Sequence, residues 1–332
     1  MLKVLVARAV PDELLERLRP WFHVESNPRD EVFDKRTLIR RLHDKAGVIA
    51  TGSERIDAEV LDANPQLRAV CNMAVGFNNL DVEACTARGV LCSNTPDVLT
   101  ETTADFGFAL MMAAARRIGE GERHLRDGRW TKWSYDLMLG ADVHGATLGV
   151  LGMGRIGQAI ARRAHRGFGM PVLYHNRSRL PEATEAALGA RHVDKATLLR
   201  EADHLVIVAP YTPQTHHLVG APELALMKRT ATLTNIARGG VVDDAALAAA
   251  LREGRLAAAG LDVFEGEPQV RADLLALPNA VLTPHIASAS VGTRRAMFEL
   301  ACDNLIAALG CGPHAGRPPT PLNPQVLGSA AG

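Results

Sequence analysis

The stretch from Thr147 to Ser178, TLGVLGMGRIGQAIARRAHRGFGMPVLYHNRS, restricts the fold more than any other part of the chain. An apolar run at 148–151 leads into Gly152, Gly154 and Gly157 at G-x-G-x-x-G spacing. Residues 158–166 then show helical periodicity, and 172–174 form a second apolar run. That order predicts a strand, a tight turn, a helix and a second strand. In such a turn Gly152 permits the bend, Gly154 lets backbone amides approach a pyrophosphate, and Gly157 lets the helix lie close to the sheet. The N-terminus of the helix faces the negative charge. Glycines at this spacing are weak alone; with these flanks they point to a dinucleotide site.

The rest of the chain repeats the alternation. Short apolar runs at 4–6, 48–50, 69–71 and 90–92 are interleaved with helical segments at 12–18, 58–61 and 82–88, the pattern of a parallel sheet covered by helices. Pro96 and Asp97 punctuate the chain, and 100–116 is a long apolar helix with a Thr/Glu start signal. Residues 119–145 show little periodicity and hold Trp130 and Trp133; they read as an arm or lid and a subunit contact. From 147 the alternation resumes, with six apolar runs at 148–151, 172–174, 205–208, 231–236, 258–263 and 280–282. A second long helix at 287–309 returns the chain to the first lobe. The 332 residues are enough for two domains. The expected fold class is α/β, with two doubly wound parallel-sheet domains and a cleft between them. One is a Rossmann-type nucleotide-binding domain over 99–287, including a dimer arm at 119–145; the other is a flavodoxin-like substrate domain over 1–98 and 288–332.

Composition narrows the partners. Thirty-seven Lys and Arg balance thirty-seven Asp and Glu, so no strong field invites nucleic acid or an anionic membrane. No run of apolar residues is long enough to span a bilayer. The opening MLKVLVARAV reads as a first strand rather than a signal segment. The five cysteines are odd in number and lack CxxC pairs, which suits idle thiols in a reducing, cytoplasmic compartment. The expected partners are a small-molecule substrate and a second copy of the chain.

Three polar residues follow strands of the second domain: Arg238 after ATLTNIA, Glu267 after AAAGLDVF and His285 after AVLTP. Ligands of open α/β sheets lie beyond the carboxyl ends of the strands, so these three should converge near the reactive end of the cofactor. A carboxylate beside a histidine favours the imidazolium and suits it to protonate a ketone oxygen. The arginine can grip a carboxylate with two prongs. Single loop residues of these types are more often solvated or capping, and shared placement gives the set its weight. The pair His216 and His217 is assigned no role. No HExxH or compact His/Cys cluster is visible in the linear sequence, so no metal is expected.

Across nearly its whole length the chain resembles the D-isomer-specific 2-hydroxyacid dehydrogenases, through NMAVGFNNLDVEA, HGATLGVLGMGRIGQ, NIARGGVVDDAAL, GLDVFEGEP and TPHIAS. Within them it is most similar to the glyoxylate/hydroxypyruvate and 2-ketogluconate reductases. The resemblance implies that Arg238 binds the substrate carboxylate and carbonyl, that His285 is the acid/base and that Glu267 pairs with it. It implies that the backbone at Val75 and Gly76 holds the substrate carboxylate. It also implies cofactor contacts at Thr103, Arg155, Ile156, Pro210, Ala237, Arg238 and Asp262, with Asp262 near the carboxamide.

The end of the second strand of the fingerprint selects the cofactor. An acidic residue there would bind ribose hydroxyls and repel a 2′-phosphate; this chain has Asn176, Arg177 and Ser178, which suit NADPH, with NADH possible. The expected reaction is reduction of glyoxylate, hydroxypyruvate or 2-ketogluconate to the 2-hydroxy acid. One alternative is an NAD-dependent enzyme of phosphoglycerate type, disfavoured by Asn176-Arg177-Ser178 and by the lack of an added regulatory domain. Another, of a different class, is a cofactor-sensing corepressor or scaffold on the same fold.

Overall fold

In the computed structural model, which describes residues 1–327, the short apolar runs become strands that pair in parallel with every neighbour. The chain divides into two units, one made of Met1–Leu99 with the chain from Ser290 onward, the other of Thr100–Ala289. The first unit holds β1 (Leu2–Val6), β2 (Phe22–Glu25), β3 (Gly47–Ala50), β4 (Ala69–Asn72) and β5 (Leu91–Ser93). Their order is β2-β1-β3-β4-β5, the flavodoxin-like arrangement. Alternation along β1 shows how both faces are covered. Leu5 packs with Leu38, Leu42 and Val60, whereas Val4 and Val6 pack with Leu15 and with Phe298 and Leu305 of the helix Val291–Ala308. Burial on both faces is why these strands read as continuous apolar runs.

The second unit holds β6 (Leu148–Leu151), β7 (Val172–His175), β8 (Ala190–His192), β9 (His204–Ile207), β10 (Thr232–Asn235), β11 (Ala258–Leu261) and β12 (Ala280–Leu282). The order β12-β11-β10-β9-β6-β7-β8 reverses direction at β6, which puts a topological switch point between β6 and β9. Leu151 lies level with His175 and Ile207, so the chain leaves all three strands at one edge. Asn235, Leu261 and Leu282 continue that level across β10, β11 and β12. One face is covered by the helices Thr100–Ala115 and Arg155–Phe168, through Ala104, Phe108, Met111, Ile160 and Ala164. The other is covered by Leu198, Leu247 and Leu251.

Several features differ from the sequence reading, among them the helix Lys35–Leu42, which it did not include. Strands β2 and β8 were not visible as apolar runs, because each is a short edge strand in which Phe22 of β2 is the one fully buried residue. The segment at 119–145 is not irregular throughout. It opens with the helix Ile118–Arg126, which buries none of its residues and is laced by Arg117–Glu120 and Arg126–Glu122 ion pairs. The last long helix begins at Val291, where the Ser290 side chain accepts from the Thr293 N–H, so residues 287–289 belong to the preceding loop. Among the described residues no helix is long and apolar enough to cross a membrane.

Candidate active site

The glycine turn after β6 is built by leaving side chains out. Gly152 has φ 102°, and a Cβ there would lie 2.6 Å from the Ala209 nitrogen; a Cβ at Gly157 would lie 2.4 Å from the Gly152 carbonyl oxygen. Neither position tolerates a larger residue without backbone movement. Gly154 is different: it caps the helix Arg155–Phe168 with no side-chain hydrogen bond, and a Cβ there would meet nothing within 4 Å. The space at Gly154 leaves room for an anionic group beside the start of that helix, whose end favours negative charge. Arg155 is exposed and Ile156 half-buried at the helix start. The tight bend expected at Gly152 and the close helix approach expected at Gly157 are both present.

At the end of β7 the two arginines separate. Arg179 makes a two-pronged contact with Glu185, at 2.6 Å for its shortest bond. Arg179 and the Tyr174 hydroxyl together hold the Glu185 carboxyl down at about 2. Arg177 and Ser178 are exposed, and Asn176 donates from its side chain to the Ser178 carbonyl at 3.3 Å. A carboxylate is absent from this turn, and the exposed guanidinium and hydroxyl suit a phosphate.

Beyond β10, β11 and β12 the fold gathers Arg238, Glu267 and His285. The loop bearing Arg238 is pressed onto the loop bearing Glu267, since a Cβ at Gly239 would lie 1.8 Å from the Phe264 carbonyl oxygen. His285 Nδ1 lies 2.7 Å from Glu267 Oε1. An ionised carboxylate only accepts, so Nδ1 donates and Nε2 is the nitrogen left for chemistry. Burial alone would raise the Glu267 pKa. The bond and charge of His285, the Phe264 N–H and the charge of Arg238 outweigh it and hold the carboxyl below the usual glutamate range. Burial pushes the Arg238 guanidinium below its ordinary value, and Glu267 pulls it back. Arg238 also donates to the Ala237 carbonyl at 2.7 Å. His285 itself has φ 54°, a left-handed conformation that costs a non-glycine residue about 1–3 kcal/mol and tends to mark functional positions.

Asp262 holds that conformation in place. It is completely buried, and its carboxylate accepts from the Thr283 hydroxyl at 2.7 Å, the Ile286 N–H at 2.9 Å and the Ala287 N–H at 2.8 Å. This carboxylate therefore braces the turn that carries His285. Among the other expected cofactor contacts, Thr103 is buried with its hydroxyl lacking a partner among the described residues, Ala237 is buried and Pro210 is exposed.

In the first unit, asparagines fix the loop after β4. Asn94 donates to the Val75 carbonyl and Asn72 to the Gly76 carbonyl, each at 2.8 Å. No backbone or side-chain acceptor among the described residues takes the N–H of Val75 or Gly76. Two anchored, unpaired amides are a fitting cradle for a carboxylate. Asn79 extends the network, donating to the carbonyls of Thr51 and Glu54 at 2.8 and 3.0 Å. Sequence reasoning did not single out Asn72, Asn79, Asn94, Gly239 or the bracing role of Asp262; only the double glycine after Arg238 hinted at a close approach of loops.

A glycine turn at the switch point and a carboxylate-backed histidine on the same sheet edge are parts of a nicotinamide-dependent dehydrogenase. Residues 108–287 match the family model described as D-isomer specific 2-hydroxyacid dehydrogenase, NAD binding domain, and the chain belongs to that family. It is 47% identical over 329 residues to the glyoxylate reductase of Thermococcus kodakarensis, covering 98% of this chain and 97% of that one. It is 47% identical over 313 residues to glyoxylate/hydroxypyruvate reductase B of Klebsiella pneumoniae, covering 92% and 94%. The solved structure of the NADPH-dependent glyoxylate/hydroxypyruvate reductase of Sinorhizobium meliloti, in complex with NADP and malonate, is 36% identical. It superposes with a TM-score of 0.85 over 97% of both chains.

Proposed function

We propose that this chain reduces small 2-oxo acids, with glyoxylate and hydroxypyruvate as the leading substrates and 2-ketogluconate in the same class, using NADPH. The single observation that carries the reading is the 2.7 Å contact between His285 Nδ1 and Glu267, on the strand edge that also bears the glycine turn. The similarity to reductases named for glyoxylate and hydroxypyruvate, one of them solved with NADP, supports the substrate and the cofactor.

In this reading Gly152, Gly154, Arg155, Ile156 and Gly157 hold the pyrophosphate, Asn176, Arg177 and Ser178 take the 2′-phosphate, and Thr103, Pro210 and Ala237 line the remainder. When bound, the reduced nicotinamide supplies a hydride to C2 of the 2-oxo acid. Arg238 binds the substrate carboxylate and polarises the carbonyl, and the Val75 and Gly76 amides hold the carboxylate. His285 gives the proton from Nε2 to the developing alkoxide, and hydride plus proton complete the two-electron reduction. Glu267 keeps the imidazole oriented through its bond at Nδ1. Asp262 positions the turn on which His285 sits.

The arm bears exposed Trp130, Trp133, Tyr135 and Leu139, with Tyr135 83% accessible, an apolar group suited to a second copy of the chain in a homodimer. A cytoplasmic location suits the five free thiols. NADPH oxidation measured against a panel of 2-oxo acids of increasing length tests the activity. Turnover with glyoxylate or hydroxypyruvate is expected, and no turnover with any member of the panel would refute it.

A further inference from the structure

The fold assembles a compact histidine cluster that the linear sequence does not display. His216 and His217, in the loop between β9 and β10, stack with ring centroids 3.9 Å apart and planes 23° from parallel. His217 Nε2 lies 2.7 Å from Glu265 Oε1, and its Nδ1 lies 3.8 Å from Asp243 Oδ2. One ring nitrogen from each histidine and a Glu265 oxygen all fall within 4.8 Å of one another. Both histidines are exposed, so the group is open to solvent ions. His217 has φ 49°, and its N–H donates to the Gly240 carbonyl at 2.7 Å.

We propose that His216, His217 and Glu265 form a binding site for a divalent transition-metal ion, with Asp243 at its margin. Ligands bonded to such an ion at about 2.0–2.2 Å in a tetrahedron lie about 3.3 Å apart, and the observed spacing brackets that edge. Two imidazoles with one carboxylate select nickel, cobalt, zinc or copper over magnesium or calcium, which take mostly oxygen. To bind, His217 exchanges its hydrogen bond to Glu265 for a shared metal and carries its proton on the other ring nitrogen. The consequence reaches the candidate active site through the backbone. His217 is fastened to Gly240, two residues after Arg238, and Glu265 stands two residues before Glu267. A bound cation therefore fastens the loop bearing Arg238 to the loop bearing Glu267. None of the three ligands has a role in the reductase reading, so the two stand or fall separately.

Calorimetric titration of untagged, chelator-treated protein with nickel chloride tests the site, with magnesium chloride as comparison. The expected result is one nickel per chain, with magnesium failing to compete. His216→Ala, His217→Ala and Glu265→Gln should each weaken nickel binding at least as much as loss of a supporting partner does, about ten- to a hundredfold. His23→Ala, at an exposed histidine elsewhere, should leave it unchanged. Nickel should raise the melting temperature of the parent protein and not that of the His216→Ala/His217→Ala double variant, a scan that also reports whether the variant is folded. No nickel isotherm in the parent protein, or equal affinity in the parent and the folded double variant, overturns the proposal.

Discussion

The turn after β6 and the loops after β10, β11 and β12 occupy the same edge of one sheet but are made by opposite means. The turn is made by omission: six residues carry three glycines, and at Gly154 space remains where a side chain would stand. The loops are made by satisfaction, in that Asp262 uses both oxygens on the His285 turn, Glu267 is taken by His285, and Arg238 is set by the press of Gly239 on Phe264. Omission suits a polyanion whose position the backbone dictates, whereas satisfaction suits a proton donor whose orientation must not drift.

Removing charge from the satisfied loops should have the largest effect. Arg238→Gln is expected to lower kcat/KM for glyoxylate about 10²- to 10⁴-fold, by losing two charge-assisted bonds worth about 1.5–3 kcal/mol each. The omitted turn breaks differently at its two kinds of glycine. Gly157→Ala should cost about 1–3 kcal/mol of folding stability, since its Cβ collides with backbone. Gly154→Ala should leave thermal unfolding nearly unchanged while weakening NADPH in a dinucleotide titration, because its Cβ has room in the protein and not beside a pyrophosphate. Equal losses of stability in the two variants would end that distinction. Arg177→Ala should lower kcat/KM for NADPH about ten- to a hundredfold and leave NADH untouched; a parallel fall with both cofactors would remove Arg177 from the phosphate site.

The smallest effect concerns pH. Glu267 has a folded pKa below its ordinary value, so its pairing with His285 stabilises the fold above the unfolded glutamate pKa of about 4.3 and is lost as pH falls through the lower folded value. Both side chains are more than a third exposed, so the contribution is about 1 kcal/mol or less. The melting-temperature difference between the parent protein and Glu267→Gln should therefore be present at neutral pH and close only below the ordinary glutamate range. A difference that closes near neutrality would contradict the assignment.

The contrast also explains what could be read in advance. The glycine turn was legible because its residues are contiguous and its constraint is on backbone. The central strands were legible because burial on both faces writes an unbroken apolar run, as at Leu148–Leu151. Edge strands β2 and β8 carry no such run, and the helix Ile118–Arg126 buries nothing, so neither left an apolar pattern. Arg238, Glu267 and His285 were visible by residue type and strand-end position, but the supports around them were not. Asp262 meets Ile286 across two dozen intervening residues, and Asn72 and Asn94 fix Val75 and Gly76 through contacts that no periodicity encodes. The His216–His217–Glu265 cluster escaped for the same reason, since Glu265 stands on a different loop.

The central claim is that His285 delivers the proton while the glycine turn holds the cofactor independently of it. Steady-state turnover of His285→Ala with glyoxylate, measured beside its dissociation constant for NADPH, tests that division most directly. The account predicts a kcat lowered about 10²- to 10⁴-fold with NADPH binding unchanged; turnover equal to that of the parent protein would contradict it.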